Sequence, residues 1–176
     1  IVLVITVPLL LFLTELTKSL NEINSLPLKQ DNFSVEINYS YFVDDSSTMS
    51  VTDVAAAQRA FKKVKLNTAE TSFGLQTYWY LLEVKSTLQQ PKDLILAFDN
   101  PMVDEIDVYQ YDGVNTFLLS ELGDKRFKQR AEYLAFPNIE LFLMPDQKVS
   151  LLIRARTTGA TSLPLLLFEN DDYRSY

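Results

Sequence analysis

The chain contains no cysteine and no histidine. The first absence removes thiol nucleophiles, disulfides and thiolate zinc sites. The second removes the imidazole base of the common hydrolase triads and the usual nitrogen ligand for metals. Carboxylate chemistry and oxygen-ligand metals are what remain. The lack of cysteine assigns no compartment, because a chain of 176 residues buries enough apolar surface to stand outside the cell without disulfide staples. Positive charge is also scarce: 16 basic against 23 acidic side chains leave a net charge of −7. That is the wrong sign for neutralising phosphates and argues against a nucleic-acid partner. A long apolar run is missing too. Ile1 to Leu13, IVLVITVPLLLFL, is apolar apart from Thr6 and Pro8, yet stops short of the ~20 residues that a membrane-spanning helix needs.

What is present points to one folded domain behind a leader. The apolar start fits the core of a secretory signal peptide, with a buried core segment as the alternative, and no clear small-x-small cleavage site follows it. Thr14 to Gln30 is polar and reads as a tether. The expected organisation is therefore a signal peptide or membrane-anchor remnant plus tether over residues 1–30, and a single domain over 31–176. A hydrophobic content of 47% with a mean hydropathy near zero is that of a folded chain.

The periodicity is that of strands. Phe33, Val35, Ile37 and Tyr39 alternate onto one face of a first strand, which Asp44-Asp45-Ser46-Ser47 breaks. Ser50-Val51-Thr52-Asp53 has the spacing of a capping box and opens one short helix near 51–63, with Lys62, Lys63 and Lys65 placed at its negative end. Strand-like runs follow over Thr77–Ser86, Asp93–Asp99, Glu105–Tyr111, Thr116–Glu121, Ala131–Phe136, Ile139–Leu143, Lys148–Thr157 and Leu163–Glu169, separated by turn sequences such as Tyr111-Asp112-Gly113 and Pro145-Asp146-Gln147. This spacing predicts an all-β antiparallel sandwich or jelly roll. Leu163–Phe168, apolar on both faces, is expected to be a central strand.

The ordered segments YFVDDSSTMSVTDV, SFGLQTYWYLLEV, LILAFDNPMVDEIDVYQYDG, GDKRFKQR and LLIRARTTGATSLPLLLF resemble the type 2 extracellular sensory domain of the bacterial seven-transmembrane receptors with diverse intracellular signalling modules. The resemblance spans roughly Ser34 to Phe168 and rests on the joint order of the pieces, each of which is common by itself. It implies a jelly-roll β-sandwich related to carbohydrate-binding modules, located in the periplasm or outside the cell. In that family the domain precedes a seven-helix membrane region and a diguanylate cyclase or histidine kinase output. The implied function is non-enzymatic sensing of a small molecule such as a carbohydrate. The alternatives are a protein interaction module, contacting another protein or a second copy, and a free-standing carbohydrate-binding module.

Candidate contacts follow from what sugar sites on sandwiches use, namely aromatic faces and planar polar groups. Tyr109 and Tyr111, which share their face with Asp107, come first, followed by Arg130, Arg154 and Arg156, then Tyr78 and Tyr80. Each has a structural alternative. Trp79 reads as core, and Tyr78 and Tyr80 equally fit a second buried layer. Arg130 suits an ion pair with Asp124, and Arg154 and Arg156 suit pairs with Asp104, Glu105 or Asp107, which the acidity of the chain favours. Asp99-Asn100-Pro101 reads as a corner brace. The carboxylates at Asp99, Asp104, Glu105 and Asp107, or at Glu169, Asp171 and Asp172, lack the spacing of a calcium loop. No catalytic residue, metal or cofactor is expected.

Overall fold

The computed structural model describes residues 35–64, 76–126, 136–159 and 163–173, without the side chains of Val64 and Asp171. Among these residues nine strands and two short helices follow in order: β1 (Val35–Asp44), α1 (Val51–Ala56), β2 (Lys62–Val64), β3 (Thr77–Ser86), β4 (Lys92–Phe98), β5 (Glu105–Tyr111), β6 (Thr116–Leu122), β7 (Asn138–Leu143), β8 (Lys148–Arg156), β9 (Leu165–Glu169) and α2 (Asn170–Tyr173). They form a six-stranded sheet in the order β2-β1-β3-β8-β5-β6 and a three-stranded sheet in the order β7-β4-β9. Every pairing is antiparallel. The chain changes sheet after β3, β4, β6, β7 and β8, the crossing pattern of a jelly-roll sandwich.

Alternation sorts the side chains. Tyr80 of β3 and Val108 of β5 both oppose Ile153 of β8, so these residues share the inner face of the large sheet. Together with Tyr39, Tyr78, Leu82, Ile106, Leu151 and Ala155 they pack against Leu94, Leu96, Phe98, Leu141 and Leu165 of the small sheet. Tyr39 stacks on Tyr80 at 5.3 Å, and its hydroxyl donates to the Leu163 carbonyl across the sandwich at 3.1 Å.

Each sheet also has a cover on its outer face. On the small sheet, Ile95 and Ala97 pack with Phe168 and Tyr173 of α2. On the large sheet, Trp79 and Leu152 pack with Val54 of α1, flanked by Phe42, Met49, Val51, Ala55, Phe61 and Leu81. Trp79 is 1% exposed. It belongs to the core, as the sequence suggests, but to this outer layer rather than to the inter-sheet layer.

The capping box is present: Asp53 N donates to Ser50 Oγ at 3.2 Å, and Ser50 N donates back to the Asp53 carboxylate at 3.1 Å. The helix is nevertheless shorter than expected. α1 ends at Ala56 and a single 3-10 turn, Gln58–Ala60, follows. Phe61 then adopts an extended conformation, packs on Phe42 at 5.7 Å, and leads into β2, whose Lys62–Val64 pair with Tyr39–Tyr41. Lys62 and Lys63, read as part of a helix end, are therefore strand residues, because edge pairing and packing of Phe61 override helix propensity; Lys65 lies outside the described residues. Ahead of α1, buried Asp44 accepts from Ser46 N at 3.1 Å and Met49 N at 2.9 Å, bracing the connection from β1.

β9 also differs from expectation. It lies at the edge of the small sheet, beside β4, rather than at its centre. Its two-sided apolar pattern comes from the core on one face and α2 on the other, where Phe168 meets Tyr173 at 5.3 Å.

Two tests follow. Trp79→Ala empties the outer layer and is expected to cost about 3–5 kcal/mol, measured by denaturant unfolding. Burial of the Asp44 carboxyl favours its neutral form, but the hydrogen bonds from the Ser46 side chain and the Met49, Ser47 and Ser46 amides outweigh this and lower its pKa. A lowered folded-state pKa adds stability above the unfolded value of about 3.9, and that stability disappears as pH falls through the folded value. Asp44→Asn is expected to lower stability at neutral pH and to flatten its decline below about pH 4, as read from unfolding curves across the acid range.

Candidate ligand site on the outer sheet face

β8 and β5 are neighbours, and their outward residues form one stripe. Glu105 lies opposite Arg156, Asp107 opposite Arg154, Tyr109 opposite Leu152, and Tyr111 opposite Ser150. Tyr109, Tyr111, Arg154 and Arg156, four of the sequence candidates, therefore share a single face. They are strung along it over about 20 Å at the usual strand rise, too far apart to close on one small molecule.

The tyrosines form the rim of the outer apolar layer. Tyr109 lies 6.3 Å from Trp79 in a tilted ring contact. Burial raises its pKa, and the charge of Asp107 adds to the rise. The Tyr111 hydroxyl donates to the Gly113 carbonyl at 2.7 Å, closing the β5–β6 turn. Both are half-buried.

Asp107 is the electrostatic centre of the face. It is 3% exposed and takes two guanidinium groups: Arg154 at 3.0 Å on one oxygen and Arg126 on the other. Arg126 also reaches Glu121 at 3.0 Å and Glu105 at 3.3 Å. Burial alone weakens the hold of Arg126 on its proton, but the attraction of Asp107, with that of Glu105 and Glu121, wins and raises its pKa. Arg154 is thus in the ion pair that the sequence reading favoured, with Asp107.

A pocket of about 160 Å³ opens at the Arg156 end of the stripe, lined by Asp104, Glu105, Lys125, Arg156, Thr157 and Thr158. Three segments build it: the start of β5, the end of β8, and the 3-10 turn Asp124–Arg126. Gly123 lets that turn sit close. Its φ is +113°, and a Cβ there would lie 2.6 Å from the Asp104 carbonyl oxygen. Asp124 N donates to the Val103 carbonyl at 2.8 Å and Lys125 N to that of Asp104 at 3.0 Å. The Asp104 carboxylate accepts from Lys125 Nζ at 2.8 Å and Thr158 N at 2.9 Å. The lysine bond has the largest effect and lowers its pKa; burial opposes it, and the Thr158 amide adds to the lowering. Arg156 is exposed and makes no ion pair among the described residues.

The other candidates resolve differently. Tyr78 and Tyr80 are 4% and 7% exposed and point into the inter-sheet core, so as ligand contacts they are corrected to scaffold; alternation turns them toward the small sheet. Arg130 lies outside the described residues. Asp99-Asn100-Pro101 is a corner, where Asn100 Oδ1 accepts from Met102 N at 3.0 Å. Sequence reasoning passed over Arg126, Lys125, Thr157 and Thr158. The available signal was Gly123, a glycine directly after a strand and before Asp124-Lys125-Arg126, which marks a turn folding back over acidic β5. Among the described residues no three carboxylates gather as a metal site, and no helix is long and apolar enough to cross a membrane.

Fold and site together define a jelly-roll β-sandwich with a small polar pocket at one end of its larger sheet. Residues 37–169 match the family model described as 7TMR-DISM extracellular 2, and the chain belongs to that family of extracellular sensory domains. No curated protein matches the sequence. Among solved structures, that of TmCBM61 in complex with beta-1,4-galactotriose is similar with a TM-score of 0.31 at 11% identity, over 83% of this chain and 96% of that chain.

The two kinds of ion pair are separable by substitution. Asp107→Asn takes from Arg154 its ion-pair partner among the described residues and leaves Arg126 with Glu105 and Glu121, and is expected to destabilise by about 3 kcal/mol. Glu121→Gln, at a side chain 59% exposed, is expected to cost less than about 1 kcal/mol. Denaturant unfolding of both variants gives the comparison.

Proposed function

We propose that this domain senses a small polar molecule, such as a carbohydrate, at the pocket around Arg156, and that it is not an enzyme. In the full-length receptor it is held at the membrane and hands ligand binding to a seven-helix region with a cyclase or histidine kinase output. The observation that carries this reading is the Arg156 guanidinium, free of any ion pair among the described residues, in a pocket also lined by Thr157, Thr158, Lys125, Asp104 and Glu105.

That lining supplies donors and acceptors in comparable number, which suits hydroxyl groups better than a bare charge. A volume of about 160 Å³ suits one sugar ring or a short hydroxy acid and excludes an oligosaccharide lying wholly inside. Tyr109 and Tyr111 sit further along the stripe and take a supporting role, as an aromatic rim for a larger ligand that extends from the pocket.

The pocket is also placed to couple binding to shape. Its walls come from the 3-10 turn, anchored through Arg126 to Asp107, and from the end of β8, which leads to β9 and α2. A ligand that bridges Lys125 and Arg156 favours the arrangement with these two segments together and biases the equilibrium toward it.

The test is a thermal-shift screen of monosaccharides and small hydroxy acids against the chain and its Arg156→Ala variant. At least one compound is expected to raise the unfolding midpoint of the parent, with the shift lost in Arg156→Ala although the ligand-free midpoint stays within a degree or two. A shift retained in full by Arg156→Ala removes the pocket from the reading.

A further inference from the structure

Arg154 and Arg156 stand in the same arrangement and end differently. Each is an outward residue of β8, and each lies directly opposite an acidic residue of β5, Asp107 in one row and Glu105 in the next. Opposite charges that face each other across an antiparallel ladder attract and ordinarily pair. Arg154 does so, with Asp107 at 3.0 Å. Arg156 and Glu105 do not. Arg156 is in no ion pair among the described residues, and the Glu105 carboxylate is taken by Arg126 at 3.3 Å instead.

The other carboxylate lining the pocket is drawn off by the neighbouring residue. Asp104 accepts from Lys125 Nζ at 2.8 Å. Lys125 and Arg126 are adjacent in the 3-10 turn Asp124–Arg126. One short turn thus engages both acidic side chains that line the pocket around Arg156.

From this we propose that the turn is a switch built on Arg126. Docked, it holds Glu105 away from Arg156 and leaves that guanidinium available in the pocket. Displaced, it releases Glu105 to pair with Arg156 and close the pocket. Arg126 does not line the pocket and acts through Glu105, so it is a positioning residue. The side chains of Arg126 and Glu105 keep 25% and 28% of their surface exposed, and ion pairs open to water are held weakly. Moving Glu105 from one guanidinium to the other is therefore a near-balanced exchange. A ligand that occupies Arg156 competes with Glu105 for it, returns Glu105 to Arg126 and favours the docked turn. The binding event is then passed to Asp107, which Arg126 also holds, and to β6, from which the turn leads. As regulation of binding, the switch rests on the reading of the Arg156 pocket as the ligand site.

The test needs no ligand. Phenylglyoxal, which adds to unpaired guanidinium groups, is reacted with the 176-residue chain, and the rate at Arg156 is followed by peptide mass spectrometry. The variants are Arg126→Lys, Arg126→Lys with Glu105→Gln, and Glu105→Gln alone. Lysine keeps a positive charge for Asp107 but lacks the fork with which Arg126 reaches Asp107, Glu105 and Glu121 together. In Arg126→Lys the rate at Arg156 is expected to fall about threefold, the protection given by an exposed ion pair. Adding Glu105→Gln restores the parent rate, and Glu105→Gln alone leaves it unchanged. Local unfolding raises the rate, so a fall is not a folding defect, and Arg126→Gln repeats the measurement with the charge removed. A rate that falls in neither Arg126 variant overturns the proposal. A fall that Glu105→Gln does not reverse overturns it as well, as does a faster reaction in Glu105→Gln alone, which means that the pair with Arg156 already exists in the parent. None of these outcomes depends on a binding compound, so failure of the switch and failure of the ligand reading are told apart.

Discussion

Burial of β3 on both of its faces is the constraint on which the rest of the molecule depends. Tyr78, Tyr80, Leu82 and Val84 face the small sheet, while Trp79 and Leu81 face α1 and the segment around it. A strand so covered sits inside its sheet, and here β1 and β8 flank it. The outer cover over Trp79 then takes up the middle of the large sheet's outer face. The pocket and the charged stripe lie beside that cover, on the β8–β5 side of the same face.

Asp107 performs the second task that the fold sets. Holding a carboxylate at 3% exposure is costly unless its charge is matched. Two arginines match it, one from the adjacent strand β8 and one from the turn after β6. The same pairs that satisfy Asp107 pin the Asp124–Arg126 turn over β5 and so shape one wall of the pocket. In the next row of the stripe, Arg156 has no such partner among the described residues. Two arginines of one strand, alike in sequence, thus separate into one held in an ion pair and one that has none among the described residues.

The chain was legible to different depths at different places. The capping box of Ser50 and Asp53, the strand runs of β3 to β8 and the alternation in β8 are local patterns, and local patterns survive folding. The order of the motifs across the chain pointed to the sensory family. Legibility ended where a long-range contact decided the outcome. Lys62 and Lys63 read as a helix end until pairing with β1 made them a strand. Leu165 to Phe168 read as central until α2 supplied the second cover at a sheet edge. Arg126 was passed over because its buried partner Asp107 is 19 residues away, and only the fold-back of the turn after β6 over β5 brings the two together.

The sequence by itself therefore determined an all-β domain of acidic surface, with one capped helix, without thiol or imidazole chemistry, and with a motif order that marks its family. Composition, period-two alternation and turn residues carry that information within a few residues of one another. The tertiary structure decided which face of each strand is covered, and so which tyrosines are scaffold and which form a rim. It decided as well which two arginines pair with Asp107. Alternation states that two residues share a face, but only the order β3-β8-β5 and the position of α1 state what that face meets.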